Sequence, residues 1–183
     1  MLPLDPLRFR WPDRVELESS QDSVCSEHSP LIDELSQLHS REGFMCASAQ
    51  WLERWGRRTS WALLLSLQIN HLKVIHHALG HEVSDRLLMR TAFHLREVFR
   101  QAAIIGRLGE VEFAVFMRVA SPHACSTLVA RLSEKIDAAN STAGDLSLSV
   151  SGVVTQFDPR YAVSIRERLS QAEAAMKEMA ASQ

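Results

Sequence analysis

The sequence predicts an α+β domain, because strand-like apolar runs alternate along the chain with stretches of helical periodicity. Residues 104–117 contain two apolar runs on either side of Gly109, which is typical of an antiparallel hairpin. Residues 61–67 are apolar except for Ser66 and have the length of one strand covered on both faces. In most of the remaining stretches apolar residues recur at spacings of three and four, which indicates helices with one buried face.

Composition and charge favour one globular domain. The chain has 183 residues, of which 46% are apolar and 23% are charged, so an ordinary core can form. A formal net charge of -2 argues against a nucleic-acid-binding surface. No apolar run approaches the roughly 20 residues that span a bilayer, so no membrane insertion is expected. The odd number of scattered cysteines predicts a reduced, cytoplasmic location, with Cys46 and Cys125 as core thiols rather than nucleophiles.

Residues 1–30 are predicted to be an N-terminal extension of a domain that occupies residues 31–183. Three prolines fall within the first twelve residues, and a serine-rich stretch follows at residues 19–23. Residues 7–11, Leu-Arg-Phe-Arg-Trp, alternate apolar and basic side chains as a short extended segment does. This segment is expected to dock on its own domain, and the alternatives are binding to a partner protein and plain disorder.

Four helices are predicted from amphipathic stripes and capping residues. Ser40 can cap the first helix. Ser121 can cap the third, which has Pro122 at its first position. Ser164 and Glu167 form a capping box at the start of the last. The four apolar stripes consist of Phe44, Ala47, Trp51 and Trp55; Leu88, Ala92, Leu95, Phe99 and Ala102; Cys125, Leu128, Val129, Leu132 and Ile136; and Ile165, Leu169, Ala172, Met176 and Met179.

Two further strands show a period of two. In the second strand of the hairpin, inward apolar residues alternate with Glu112, Ala114 and Phe116, so this strand is predicted to be half buried. The turn before it is predicted to be of type II′, with a positive φ at Gly109. Residues 146–151 alternate strictly and predict another strand with one buried face.

Four short motifs occur in order along residues 31–182. They are the segment 33–41, the segment 68–85 with Lys73, Gly80, His81 and Asp85, the hairpin segment 107–113, and the segment 172–180. Together they resemble the motifs of the GGDEF family, the diguanylate cyclases, whose signature reads Arg-hydrophobic-Gly-Gly-Asp-Glu-Phe. The resemblance implies an α+β fold with a central, mostly antiparallel sheet flanked by helices, similar to the palm of nucleotidyl cyclases. The five signature positions are here Gly109, Glu110, Val111, Glu112 and Phe113.

The resemblance implies that the metal-binding positions have changed. The family joins two GTP molecules with the help of divalent metal, which is held by carboxylates at the positions of Gln68, Val111 and Glu112. An amide and an apolar side chain replace two of these three carboxylates. We therefore predict a degenerate signature without cyclase activity, and we expect no metal and no cofactor.

Positions that contact nucleotide in the family are also altered. His76 and His77 replace an Asn and an Asp that read guanine, and neutral imidazole cannot accept two hydrogen bonds as a carboxylate can. Glu110 replaces a glycine that lets phosphates approach, and Ala180 replaces a lysine of the last helix, although Lys73 remains. Nucleotide binding through Lys73, His76 and His77 is therefore the less favoured expectation.

The family's inhibitory product site, which reads Arg-x-x-Asp, matches residues 100–103. Arg100 can still pair with or stack on a guanine, but Ala103 replaces the carboxylate. Half of the recognition is missing, so cyclic di-GMP is a less favoured ligand than a protein partner.

Four histidines, His71, His76, His77 and His81, fall within eleven residues. Imidazoles one helical turn apart can share zinc or nickel, so a metal site is one interpretation. Gly80, however, is expected to end the helix before His81. A solvated helix face is favoured, and a pH-responsive contact is the third interpretation.

The sequence therefore predicts a catalytically inactive GGDEF-like domain that works by binding another protein. Its setting would be regulatory, in bacterial cyclic di-GMP signalling, and a homodimer is a further option. The alternative function is a nucleotide receptor, which would bind cyclic di-GMP or GTP through Arg100 or the altered pocket at His76 and His77. A residual enzyme is the third class.

Overall fold

The computed structural model describes residues 7–10, 30–55, 61–99, 103–142, 146–161 and 164–181. Its helices and strands are β1 (Leu7–Arg10), α1 (Arg41–Trp55), β2 (Ala62–Ile69), α2 (Leu72–Leu79), α3 (His81–Phe99), β3 (Ala103–Arg107), β4 (Glu112–Arg118), α4 (Pro122–Thr142), β5 (Val150–Phe157) and α5 (Ile165–Ala181). Among these residues, no helix is both long and apolar enough to cross a membrane.

The strands form one sheet in the order β1-β5-β2-β4-β3. β2 lies at its centre and pairs antiparallel with β4 on one side and with β5 on the other. β3 pairs antiparallel with β4, whereas β1 runs parallel to β5. The predicted fold class, an α+β domain with a central, mostly antiparallel sheet flanked by helices, is confirmed.

Helices cover both faces of this sheet. One face packs on α3 and α4 in a large apolar cluster, in which Leu65 and Val115 are fully buried. The other face packs on α1 and α5, where Phe44, Phe116 and Leu169 share a second cluster. The central strands therefore have no solvent-facing side.

Burial on both faces corrects the prediction for β4. Ala114 and Phe116 were expected on an open face, but both are fully buried. The edge of the Trp51 ring meets the Phe116 ring at a centroid distance of 5.1 Å. The alternation of residue types along β4 predicted one buried face. In the structure α1 and α5 pack on the second face, so that face is buried as well.

The predicted helix starts are confirmed by their capping contacts. The hydroxyl of Ser40 accepts a hydrogen bond from the backbone N–H of Gly43 at 3.1 Å. Ser164 accepts from the N–H of Glu167 at 3.3 Å, and Ser121 caps α4 in the same way. Each side chain satisfies a donor that the first turn of a helix leaves unpaired.

Gly80 ends α2, as predicted. Its φ of 85° lies in the left-handed region, and its N–H donates to the carbonyl of His76. The chain then starts α3 at His81, so that α2 and α3 are separate helices. A residue with a side chain would be strained at this φ, which explains why glycine stands there.

The last strand is displaced from its predicted position. β5 spans Val150–Phe157, whereas residues 146–149 are not in a strand. The Asn140 side chain holds Leu148 through two hydrogen bonds of 2.8 Å, one to its carbonyl and one from its N–H. These bonds occupy backbone groups that a longer strand would use.

β1 places part of the N-terminal extension on the sheet. Leu7–Arg10 pairs in parallel with Val150–Val153 of β5. The remainder of the extension, residues 1–6 and 11–29, lies outside the described residues.

The cysteines of α1 and α4 differ. Cys125 is a free thiol that is fully buried in the larger cluster, and this burial raises its pKa to about 11. Cys46 is disulfide-bonded, so the prediction of a reduced thiol is wrong there. The prediction of a core thiol is confirmed for Cys125.

Candidate functional site

The signature loop connects β3 to β4 over residues 108–111. The N–H of Leu108 donates to the carbonyl of Glu112 at 2.8 Å and closes the loop. Gly109 does not have a positive φ, so the predicted type II′ turn is wrong. A Cβ built on Gly109 would lie 2.9 Å from Oε2 of Glu112, which shows that this carboxylate folds back over the loop.

The three positions matched to the metal ligands come together at one end of the sheet. Gln68 of β2 stands opposite Glu112 of β4 in the strand register. Val111 directly precedes Glu112, and its carbonyl accepts a hydrogen bond from Ile69 at 2.9 Å. The Val111 side chain packs against the larger apolar cluster. Glu112 is therefore the single carboxylate among these three positions.

Among the described residues, no cluster of metal-ligating side chains lies at this end of the sheet. Across the residues for which the structure gives positions, no three histidine, cysteine or acidic side chains converge as a metal site does. This includes the four histidines of α2 and its ends. Hard cations such as Mg²⁺ need several oxygen ligands, and Glu112 alone supplies one side chain.

Lys73 faces the signature loop from the first turn of α2. Its Nζ lies 3.7 Å from Oε2 of Glu110, and both side chains are largely exposed. The Glu110 carbonyl also accepts from Nη2 of Arg107 at 3.1 Å. A phosphate that approached Lys73 would have to compete with the Glu110 carboxylate.

The two histidines at the guanine positions have different surroundings. Nδ1 of His76 lies 3.2 Å from the hydroxyl of Ser84 on α3. The rings of His76 and His81 meet edge to face at a centroid distance of 3.9 Å, and His76 and His77 are 5.8 Å apart. His77 and His81 are exposed, whereas His76 is half-buried. His76 is thus held in place by α3.

The position matched to the product site is described only in part. Arg100 lies outside the described residues. Ala103, which stands where the family has a carboxylate, begins β3 and is half-buried. An alanine side chain at this place cannot accept a hydrogen bond from a guanine.

The base of the hairpin carries an ion pair that the sequence motifs did not reveal. Nη1 of Arg107 contacts both carboxylate oxygens of Asp33 at 3.3 Å. Asp33 also accepts from the N–H of Ser36 at 2.8 Å and from its hydroxyl at 2.6 Å. Partial burial raises the pKa of Asp33, but the Ser36 hydrogen bonds and the Arg107 charge outweigh it, so the pKa is lowered overall.

Residues 33–39 also join the sheet through their backbone. The N–H of His39 donates to the carbonyl of Ile105 at 3.1 Å, and the N–H of Arg107 donates to the His39 carbonyl at 2.8 Å. The first motif is thereby attached along the edge of β3. The backbone N–H groups of Asp33 and Arg107 are therefore both hydrogen-bonded, to the carbonyls of Leu38 and His39.

A second ion pair links α1 to α5. Nη2 of Arg41 lies 2.6 Å from Oε1 of Glu173, and Nη1 of Arg41 donates to the Leu108 carbonyl at 3.4 Å. Beside this pair is a pocket of about 360 Å³ lined by Arg41, Glu42, Met45, Arg166, Leu169, Ser170 and Glu173. Arg41 and Glu173 each belong to one of the four sequence motifs. The sequence did not predict that their side chains form an ion pair.

Asn70 is a further contact that sequence reasoning missed. Its amide nitrogen donates to the hydroxyls of Ser149 and Ser151 at 3.0 and 2.9 Å. Its carbonyl oxygen accepts from Ser151 at 3.0 Å. This polar side chain at the end of β2 is therefore engaged in joining β2 to β5.

Comparison with protein families identifies the domain. The family model described as "Diguanylate cyclase, GGDEF domain" matches residues 31–183. The chain belongs to the GGDEF family. Diguanylate cyclase DgcP of Pseudomonas aeruginosa is 33% identical over 145 residues, which cover 78% of this chain and 22% of DgcP. The chain thus spans about a fifth of that relative.

Solved structures show the same fold. The GGDEF domain of FimX from P. aeruginosa superposes with a TM-score of 0.70 at 18% identity, and the match covers 85% of this chain and 96% of that domain. Diguanylate cyclase SiaD of P. aeruginosa, in complex with its activator SiaC, gives a TM-score of 0.71 at 22% identity. That match covers 83% of this chain and 58% of SiaD.

Proposed function

We propose that this GGDEF domain lacks cyclase activity and acts as a regulatory module that binds another protein in bacterial cyclic di-GMP signalling. The observation that carries the proposal is the metal end of the sheet. Gln68, Val111 and Glu112 lie together there, and Glu112 provides the one carboxylate. Magnesium in phosphoryl-transfer sites is held by carboxylates together with substrate phosphates.

The neighbouring groups disfavour a substitute metal site. The Glu112 carboxylate lies over Gly109, and the Val111 carbonyl is engaged by the N–H of Ile69. The Gln68 side chain can offer a neutral carbonyl oxygen, which neutralises no charge on a divalent ion. These three positions therefore do not supply the ligands for a divalent metal that would activate a ribose hydroxyl for attack.

The phosphate side of the loop supports the same conclusion. Glu110 places a negative charge 3.7 Å from the ammonium of Lys73. A triphosphate would gain less from Lys73 than from an unpaired lysine, and it would meet repulsion from Glu110 and Glu112. Exposed charges of this kind interact weakly in water, so the effect lowers affinity rather than forbidding contact.

Contacts that hold the domain together are present, which favours a binding role over decay of the whole fold. Asp33 with Arg107, and Arg41 with Glu173, tie the hairpin and α5 to the rest of the domain. Protein partners of GGDEF proteins have a precedent in SiaD, which was solved with its activator SiaC. A fold kept without its metal chemistry can still present a rigid surface.

The proposal is tested with the purified chain, GTP, and either Mg²⁺ or Mn²⁺. We expect no cyclic di-GMP by liquid chromatography at protein concentrations that would reveal one turnover per molecule. Formation of cyclic di-GMP at a rate proportional to protein would overturn the assignment. An active GGDEF domain, assayed in parallel, controls for the detection of product.

Nucleotide binding without turnover is the second candidate function. It is favoured by Lys73, whose Nζ lies 3.7 Å from Glu110 of the signature loop, and by the presence of His76 on the same helix. Titration calorimetry with GTP and with cyclic di-GMP separates the two functions. Saturable binding at micromolar concentration would replace the protein-binding role with that of a receptor.

A further inference from the structure

The outward face of α3 has an apolar centre. The inner face of this helix packs in the larger apolar cluster, where Leu87 and Leu95 are fully buried. On the outward face Met89 and Phe93 lie one helical turn apart and are 44% and 57% exposed. The Phe93 ring meets the neighbouring His94 ring at a centroid distance of 5.5 Å, and Phe93 is still more than half exposed. Two large apolar side chains therefore lie side by side on the solvent side of one helix.

Opposite charges flank this apolar centre. Arg86 lies one turn before Met89, and Glu97 lies one turn after Phe93; both charged residues are exposed. Among the described residues, the Arg86 side chain has neither a hydrogen bond nor an ion pair. Oε2 of Glu97 lies 3.1 Å from Nζ of Lys135 in an exposed pair, and a carboxylate has a second oxygen that can accept. The face thus has an unpaired cation at one end and a carboxylate at the other.

Arg86 and Glu97 lie on the same side of this face. They are 11 residues apart, which in an α-helix corresponds to about three turns and about 16 Å along the axis. Because this spacing is close to a whole number of turns, the two side chains leave the helix in nearly the same direction. Met89 and Phe93 lie between them.

Such a face is complementary to itself when two copies of α3 pack antiparallel. A two-fold axis between positions 91 and 92 places Arg86 of each copy beside Glu97 of the other, so that two ion pairs form. The same axis brings Met89 of each copy to Phe93 of the other, and contacts between a methionine sulfur and an aromatic ring are favourable. Parallel packing would instead place like charges opposite each other, which is unfavourable.

We propose that the chain forms a homodimer through the outward face of α3, with the two copies of this helix antiparallel. A second copy fits this face because the charge at each end matches the charge at the other end. The inference goes beyond the proposed function, since it does not depend on the loss of cyclase activity. One helix face is a small interface, so association is weak, with a Kd on the order of 10 to 100 µM.

Sedimentation velocity of the full chain without nucleotide tests the dimer. We expect a shift from monomer to dimer between about 5 and 500 µM protein, a range that brackets the expected Kd. Phe93→Ser removes half of the apolar centre and should raise the Kd at least about 10-fold. Tyr161→Ser is the matched control, because Tyr161 is an aromatic residue outside α3 that is 65% exposed. This control should dimerise as the unchanged chain does.

Charge reversal tests the antiparallel arrangement. Arg86→Glu and Glu97→Arg each create two like-charge pairs in their own homodimer, so each variant alone should dimerise at least about 10-fold more weakly. In a mixture of the two variants the heterodimer regains both ion pairs, and it should form as readily as the unchanged dimer. Arg118→Glu makes the same charge change at the exposed end of β4 and should have no effect. Circular dichroism verifies that each variant is folded.

Three results would overturn the proposal. The first is a monomer over the whole concentration range. The second is a dimer that Phe93→Ser and Arg86→Glu leave unchanged. The third is a loss of association in the two charge variants that mixing does not restore. Cyclase and nucleotide assays are independent of these results, so failure of the dimer is distinct from failure of the proposed function.

Discussion

The base and the tip of the β3–β4 hairpin differ in how firmly the surrounding structure holds them. At the base, the side chains of Arg107 and Asp33 are 15% and 25% exposed. The backbone N–H groups of both residues donate hydrogen bonds to other backbone groups. At the tip, the side chains of Lys73 and Glu110 are 73% and 69% exposed and form one long ion pair. Arg107 at the base matches the GGDEF motif, whereas the tip carries Glu110 and Val111 at two of the five signature positions.

Arg107→Met is expected to show the largest difference between base and tip. Removing one partner of a partly buried, hydrogen-bonded pair leaves Asp33 without its cation, and we expect a loss of about 2 to 3 kcal/mol in the free energy of unfolding. Urea denaturation followed by circular dichroism measures this loss. Arg118→Met, at the exposed end of β4, is the matched control and should cost less than about 0.5 kcal/mol. Equal losses in the two variants would remove the distinction.

The pH dependence of stability should also separate base from tip. The folded pKa of Asp33 is lowered by its Ser36 and Arg107 contacts, which outweigh the effect of burial. Its stabilisation is therefore fully present above the unfolded pKa near 3.8 and is lost as the pH falls through the folded value. Unfolding free energies measured between pH 6 and about pH 2.5 should decline less steeply in Asp33→Asn than in the unchanged chain. Parallel curves would assign the acid sensitivity to other carboxylates.

Gln37→Gly should stabilise the base by a smaller amount. Gln37 has a φ of 55°, in the left-handed region that disfavours residues with a side chain. Relief of this strain, less the greater chain entropy of glycine when unfolded, should raise the free energy of unfolding by about 0.5 to 1 kcal/mol. Thermal denaturation measures the change. Glu34→Gly, in the same loop without a positive φ, should destabilise, and stabilisation by both variants would refute the strain argument.

Glu110→Gln at the tip should have the smallest effect on stability. The pair with Lys73 is exposed and long, so its loss should change the free energy of unfolding by less than about 0.5 kcal/mol. The same change removes a negative charge beside Lys73, and weak binding of inorganic pyrophosphate should become detectable by calorimetry. Lys73→Ala/Glu110→Gln is the control that should abolish it. A loss of stability comparable with that of Arg107→Met would show that the tip, too, supports the fold.

Much of the fold could be predicted from local patterns. The caps at Ser40, Ser121 and Ser164 and the helix break at Gly80 depend on residues close in the chain, and the structure has them where the sequence indicated. The family motifs identified the positions of the candidate site. Their convergence at one end of the sheet could be inferred from the family, because Gln68 and Glu112 belong to paired strands.

Other features could not be predicted because they depend on distant segments. The half-buried pattern of β4 was misleading, since Ala114 and Phe116 are covered by helices from both ends of the chain. Gly109 suggested a turn that the four-residue loop does not use, and its close contact is with a side chain from the next strand. The ion pairs of Arg107 and Arg41 join motifs that are far apart in the sequence.

By itself the sequence determined the helices with their caps and the GGDEF family motifs, because residue identity and short-range periodicity carry these properties. The prediction that two metal-binding carboxylates are replaced, by Gln68 and Val111, also comes from the sequence alone. Tertiary structure alone decided that Leu7–Arg10 pairs with Val150–Val153 of β5, that β4 is buried on both faces, and that the Glu112 carboxylate lies over Gly109. Strand order and the facing of side chains depend on pairing between segments that only folding brings together.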